Sequence, residues 1–151
     1  MNIKYMYEAY KQAEISNKKN EVPVGAVIVK DDIIISRAHN QQHKSKCATR
    51  HAEIIAIEKA SKKIGDFRLE ECDIYITLEP CAMCAGAIIN SRIKNVYYAA
   101  SDSKSGCFGG LMDFRDHSFN HIPNVEGKIL EQESLNLLKT FFKNKRKMRG
   151  L

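Results

Sequence analysis

The sequence predicts an α/β protein: a three-layer α/β/α sandwich with a mixed sheet of about five strands flanked by helices. Three observations carry that expectation. Short β-branched runs alternate along the chain with segments whose apolar residues recur every three or four positions. The hydrophobic content, 44% of 151 residues, suffices for a core without disulfide staples. No repeat, low-complexity tract or linker divides the chain, so residues 1–151 are expected to form one domain.

Ile3, Met6, Tyr7, Tyr10 and Ala13 mark a first amphipathic helix, to about Ser16, which the polar segment SNKKNE ends. Val24–Val29 reads as a buried strand, Lys30-Asp31-Asp32 as a polar turn, and Ile33-Ile34-Ile35 as the start of a hairpin partner. Asn40–Arg50 is polar and loop-like. His51 opens a helix that runs to about Lys63, with Gly65 as its stop. Ile74–Leu78 is a third strand. Pro80 introduces a helix from Cys81 to about Ser91, since proline is tolerated at helix starts. Val96–Ala100 is a fourth strand, Ser105–Gly110 a glycine-rich loop, and Val125–Ile129 a short fifth strand. The last helix spans Glu131 to about Lys147, with Leu135, Leu138, Phe141 and Phe142 on or near one face.

Bulk composition narrows the functional classes. The first ten residues lack an apolar run beside a basic cap, and no stretch approaches the roughly 18 apolar residues of a membrane span. Five cysteines, two of them spaced Cys-x-x-Cys, favour metal or redox chemistry over a disulfide framework. A cytoplasmic protein without a membrane partner is therefore expected. The net charge of +6 suits a polyanionic partner. From Lys139 to Arg149 there are six basic residues and no acid. That run reads either as a solvated helix end, favoured by the helix dipole, or as a phosphate-binding edge.

Two short segments carry chemistry: His51-Ala52-Glu53 and Pro80-Cys81-Ala82-Met83-Cys84. Catalytic zinc takes three protein ligands and keeps a fourth position for water. His51, Cys81 and Cys84 supply that count, for one Zn2+ per subunit. Cys81 and Cys84 share a helix face and sit in the first turn, where free N–H groups favour thiolate. Zinc lowers the pKa of its water from 15.7 to about 7, which provides hydroxide at neutral pH. Glu53, two residues from His51, is placed to move a proton from that water to a ring nitrogen and then to departing ammonia. The pair of segments matches the signature of zinc-dependent nucleobase deaminases. A redox pair, or a closed structural site with Cys47 as fourth ligand, is the alternative reading. Cys72 and Cys107 read as a strand-edge and a loop cysteine.

The whole chain resembles the bacterial tRNA-specific adenosine deaminases of the cytidine-deaminase-like superfamily. Glu21–Val27 is similar to that family's first strand, and Thr77–Ala87 with Ser91-Arg92-Ile93 to its second zinc segment. Ser101–Gly106 and Gly110–Asp113 resemble its substrate loop, and Phe141-Phe142-Lys143 with the basic tail its last helix. The resemblance implies conversion of adenosine to inosine at the wobble position of a tRNA anticodon, by a homodimer, with hydroxide attacking the purine C6. It implies that Asn40 holds the flipped nucleotide, with Ala48 and Thr49 near the pocket. It places Asp102 and Lys104 beside the flanking nucleotides, and offers Phe142 as an aromatic surface to the anticodon loop. Recognition of RNA loops by splayed bases, aromatic stacking and phosphate contacts makes that arrangement physically sensible.

Each of these residues also has a plainer reading. Asn40 can cap a turn, Asp102 can bond its own backbone, Lys104 can be a solvated lysine, and either Phe141 or Phe142 can be core. Where the family commonly has Asp-Pro-Thr-Ala, this chain reads Cys47-Ala48-Thr49-Arg50, which removes a carboxylate and adds a charge beside His51. Two rival functions remain. One is deamination of a free base or nucleoside such as guanine, cytosine or cytidine. The other is a zinc-stabilised RNA-binding module without catalysis, which would have no need of Glu53.

Overall fold

Asp31 (φ 50°) and Asp32 (φ 59°), both in the left-handed region, close a two-residue turn between β1 (Gly25–Lys30) and β2 (Ile33–His39). Positive φ at both central positions gives the turn the twist of the strands it joins, and Asp tolerates that region better than most residues. In this computed structural model, which describes residues 1–150, the hairpin forms one edge of a five-stranded sheet ordered β2-β1-β3-β4-β5. Strands β3 (Cys72–Leu78), β4 (Asn95–Ala100) and β5 (Asn124–Glu126) are mutually parallel, whereas β1 is antiparallel to both β2 and β3. The expected mixed sheet is present.

Helices cover both faces. On one face Val27, Val29, Tyr75 and Ala99 pack against Tyr5, Met6 and Ala9 of α1 (Ile3–Lys18). On the other, Ala26, Ile28, Ile74, Ile76 and Val96 meet α3 (Ala52–Ile64) and α4 (Ala82–Asn90). Alternate side chains of β1 thus enter opposite cores, which is why its sequence is apolar without a break. Ala52, Ala56 and Ala60 line the inner face of α3 and let it lie close to the sheet. The last helix, α5 (Glu131–Met148), packs on β4 and touches α1 and β3.

Gly25 marks the closest approach of α1 to β1. A Cβ there would overlap the backbone of Ala9 and Ala13, neither of which can swing aside. Gly25→Ala is expected to lower stability by about 1–3 kcal/mol, read as a fall in the urea midpoint at unchanged slope.

Two departures from the expected layout have physical causes. The polar segment 40–50 contains a one-turn helix, α2 (Gln42–Ser45), which has no apolar period to announce it. The fifth strand ends at Glu126 rather than Ile129. Gly127 passes so close over the Tyr98 ring that a Cβ would collide with it, and Lys128 then adopts φ 66°, which breaks the ladder.

Candidate active site

The cluster sits where two helices begin. His51 is the N-cap of α3 and Cys81 the N-cap of α4, and His51 makes no side-chain bond to its own helix while Cys81 engages only Cys84. Both are free to point at each other across the gap between the helix ends. Cys84 lies one turn into α4 and is fully buried. His51 Nδ1 is 3.7 Å from Cys81 Sγ and 3.5 Å from Cys84 Sγ, and the three donor atoms lie within 4.8 Å of one another. A tetrahedral zinc with bonds of about 2.3 Å to sulfur and about 2.0–2.1 Å to nitrogen needs S···N separations of roughly 3.6 Å. The donor geometry therefore fits that ion. Cys47 stays outside the cluster: it is exposed, and its sulfur lies 3.2 Å from the Thr49 hydroxyl. Among the described residues no fourth protein donor joins the set, which disposes of the closed-site alternative.

Electrostatics at the cluster point the same way. Hydrogen bonding from Cys84, helped by His51, holds the Cys81 thiol down at about 4. Cys84 is pushed far above the ordinary range by Cys81, by burial and by Glu53. A second thiolate beside the first is therefore strongly opposed, and a divalent cation between them is what would remove the opposition. Burial pushes Glu53 up to about 7, with its own backbone N–H and the nearby His51 pulling the other way. The residue is 4% exposed.

A cavity of about 190 Å³ contains His51, Cys81 and Glu53, together with Asn40, Glu79 and Asp102. The Asn40 side-chain oxygen accepts the Ala52 N–H at 2.8 Å, so Asn40 does cap the start of α3, while the same side chain walls the cavity. Asp102 Oδ1 accepts from the N–H groups of Lys104 (3.0 Å) and Ser105 (3.2 Å), a local turn of the plainer kind. Asp102 nevertheless stands at a threshold. With Val22, Leu78 and Ser105 it lines both this cavity and a groove of about 610 Å³ beyond it. Lys104, Lys139, Phe142 and Arg146 line the groove. The ambiguity between the two phenylalanines is resolved: Phe141 is 6% exposed and Phe142 44%. Past Phe142 a smaller cleft continues between His43 and the Lys145, Arg146 and Arg149 side of α5.

The rim that departs from the family pattern is tied down locally. Gln42 Nε2 donates to the Ala48 carbonyl at 2.8 Å, and Arg50 pairs with Glu58 at 2.7 Å. The added charge at position 50 is thus neutralised along α3. Glu21 was not singled out by sequence reasoning. It is 2% exposed and accepts the N–H groups of His43 (3.0 Å) and Lys44 (2.8 Å), pinning α2 beside the cavity. An acid between a polar loop and a buried strand is the only trace it leaves in the sequence.

The model of the MafB19-like deaminases matches residues 2–146. The chain is 44% identical to the tRNA-specific adenosine deaminase of Bacillus subtilis, over 95% of this chain and 89% of that protein. It is 49% identical to the tRNA-specific adenosine deaminase of Rickettsia bellii, over 91% and 97%. A structure from work on A-to-I editing by tRNA:A34 deaminases at the wobble position superposes with a TM-score of 0.87 and 38% identity, covering 91% of this chain and all of that one. A guanine deaminase from Bacillus subtilis superposes with a TM-score of 0.64 and 34% identity, over 76% and 84%. No helix of the described residues is long and apolar enough to cross a membrane. With a matching model over nearly its whole length, and the donor cluster at the paired helix starts, the chain belongs to the MafB19-like deaminase family.

Proposed function

We propose that the protein is a zinc-dependent hydrolytic deaminase that converts adenosine to inosine at the wobble position of a tRNA anticodon. One observation carries the choice of substrate: the 190 Å³ cavity opens, through shared walls, into a basic groove with an exposed aromatic. The cavity suits a single base that has left its stack, and the groove suits the anionic chain on either side of it.

His51, Cys81 and Cys84 would hold the ion, which when bound supplies Lewis-acid activation of water at neutral pH. Glu53 takes a proton from the attacking water and delivers it to the ring nitrogen beside C6. It then moves the second proton to the amino group, which departs as ammonia. A carboxyl buried enough to titrate near 7 both accepts and returns a proton at the working pH. Asn40 offers its amide nitrogen to the flipped nucleotide, its oxygen being committed to α3. Asp102 and Lys104 border the neighbouring nucleotides, and Phe142 provides a stacking face. The same reading includes a homodimer acting in the cytoplasm.

Deamination of a free base is the second reading, favoured by the likeness to a guanine deaminase. Incubation with an arginine tRNA bearing adenosine at the wobble position, and separately with guanine, cytosine and cytidine, distinguishes the two. Inosine in the tRNA is the expected result. Ammonia from a free base, with the tRNA unmodified, overturns it.

A further inference from the structure

Glu79 is 2% exposed, and among the described residues no cation pairs with it. Its carboxylate instead accepts three backbone N–H groups from one loop. Oε1 takes that of Asp102 at 3.0 Å, and Oε2 those of Phe108 at 3.0 Å and Gly110 at 2.9 Å. The loop comes close enough to require glycine twice. A Cβ at Gly106 would collide with the Glu79 carboxyl, and one at Gly110 with the Asp102 carbonyl. Neither glycine has positive φ, so the requirement comes from proximity rather than from backbone conformation. The main chain on either side is fixed as well: Glu79 N–H donates to Ala100 O at 2.8 Å, and Cys107 N–H to Pro80 O at 2.9 Å.

We propose that Glu79 is a positioning residue, which fixes the 102–110 loop against the segment carrying Cys81 and so sets the mouth between the cavity and the groove. The inference rests on the reading of that mouth as the place where substrate enters. The linkage is continuous. Glu79 holds the Asp102 N–H, and the Asp102 carboxylate holds the N–H groups of Lys104 and Ser105. An acceptor-only group is required, because all three incoming partners are donors. Glutamine at 79 would turn an N–H2 toward at least one of them, which sets donor against donor and leaves that backbone N–H without its acceptor.

The test uses zinc-loaded Glu79→Gln and an anticodon stem-loop RNA with adenosine at the wobble position. Amide exchange at Asp102, Phe108 and Gly110 is expected to rise about tenfold or more as the loop opens locally. KM is expected to rise about tenfold with kcat within about threefold, the pattern of lost uniform binding. Zinc remains at one per chain. Unchanged exchange at the three amides overturns the proposal. Loss of zinc, or a fall in kcat at constant KM, overturns it too, since either would place Glu79 in support of the metal segment rather than the loop. Gly106→Ala displaces the carboxylate from the loop side with Glu79 retained. It is expected to reproduce the same pattern should the glutamine variant fail to fold. If the unaltered protein leaves the RNA unmodified, the proposed substrate is wrong, and the exchange rates still decide whether Glu79 holds the loop.

Discussion

Glu53→Gln is expected to lower kcat by about 10²–10⁴-fold while zinc remains at one per chain. Glutamine fills the same buried space, so the cluster keeps its packing. What it loses is a site that can take and return a proton near neutral pH, and burial is what gives Glu53 that property. His51, Cys81 and Cys84 form the candidate metal-donor set, and its geometry is complete without Glu53. Zinc measured in the purified variant therefore separates two roles. Retained zinc with lost turnover identifies a proton carrier. Lost zinc would make Glu53 a ligand and would contradict the three-donor site. Because the proton transfers occur in the transition state, kcat and kcat/KM should fall together, with KM little changed.

How far the sequence alone reached depended on whether a feature was local. The β1, β3 and β4 strands were legible because burial on both faces leaves short, nearly continuous runs of apolar, β-branched and aromatic residues. The α3 and α4 starts were legible because their caps, His51 and Cys81, belong to the candidate metal-donor motif. Hairpin β1–β2 was legible from a two-aspartate turn between apolar runs. What escaped was set by contacts across long stretches of chain. Helix α2 is one turn long and is held by Glu21, some twenty residues upstream. The end of β5 is decided by the Tyr98 ring under Gly127. Glu79 stood inside a segment already singled out, but its three partners lie 23 to 31 residues away. The choice between Phe141 and Phe142 needed the rotation of α5 about its axis, which adjacent aromatic residues leave open.

That rotation also yields a prediction about charge. With 100° per residue, Lys139, Phe142, Arg146 and the C-cap Arg149 span about 80° of the helix, and Lys143 and Lys147 follow about 40° and 80° beyond Lys139, on the edge away from Phe142. The cavities agree: Lys139 and Arg146 line the groove, and Arg146 and Arg149 the cleft beyond Phe142. If this face follows an RNA backbone, each of the three cations neutralises a phosphate, at about 0.7 of a unit of salt slope apiece for single strands. Replacing Lys139, Arg146 and Arg149 together by alanine should flatten the slope of log affinity against log salt by about 2. Referred to 1 M salt, the same slope corresponds to a loss of roughly fiftyfold in affinity at about 0.15 M salt. Lys143→Ala with Lys147→Ala removes two cations from the same helix without touching the groove, and should flatten the slope by less than half as much. Equal effects per charge in the two variants would mean that only net charge attracts the RNA, and the groove would lose its claim to the substrate. A selective effect of the groove-facing set would mark α5 as the surface that tells a tRNA from a free base.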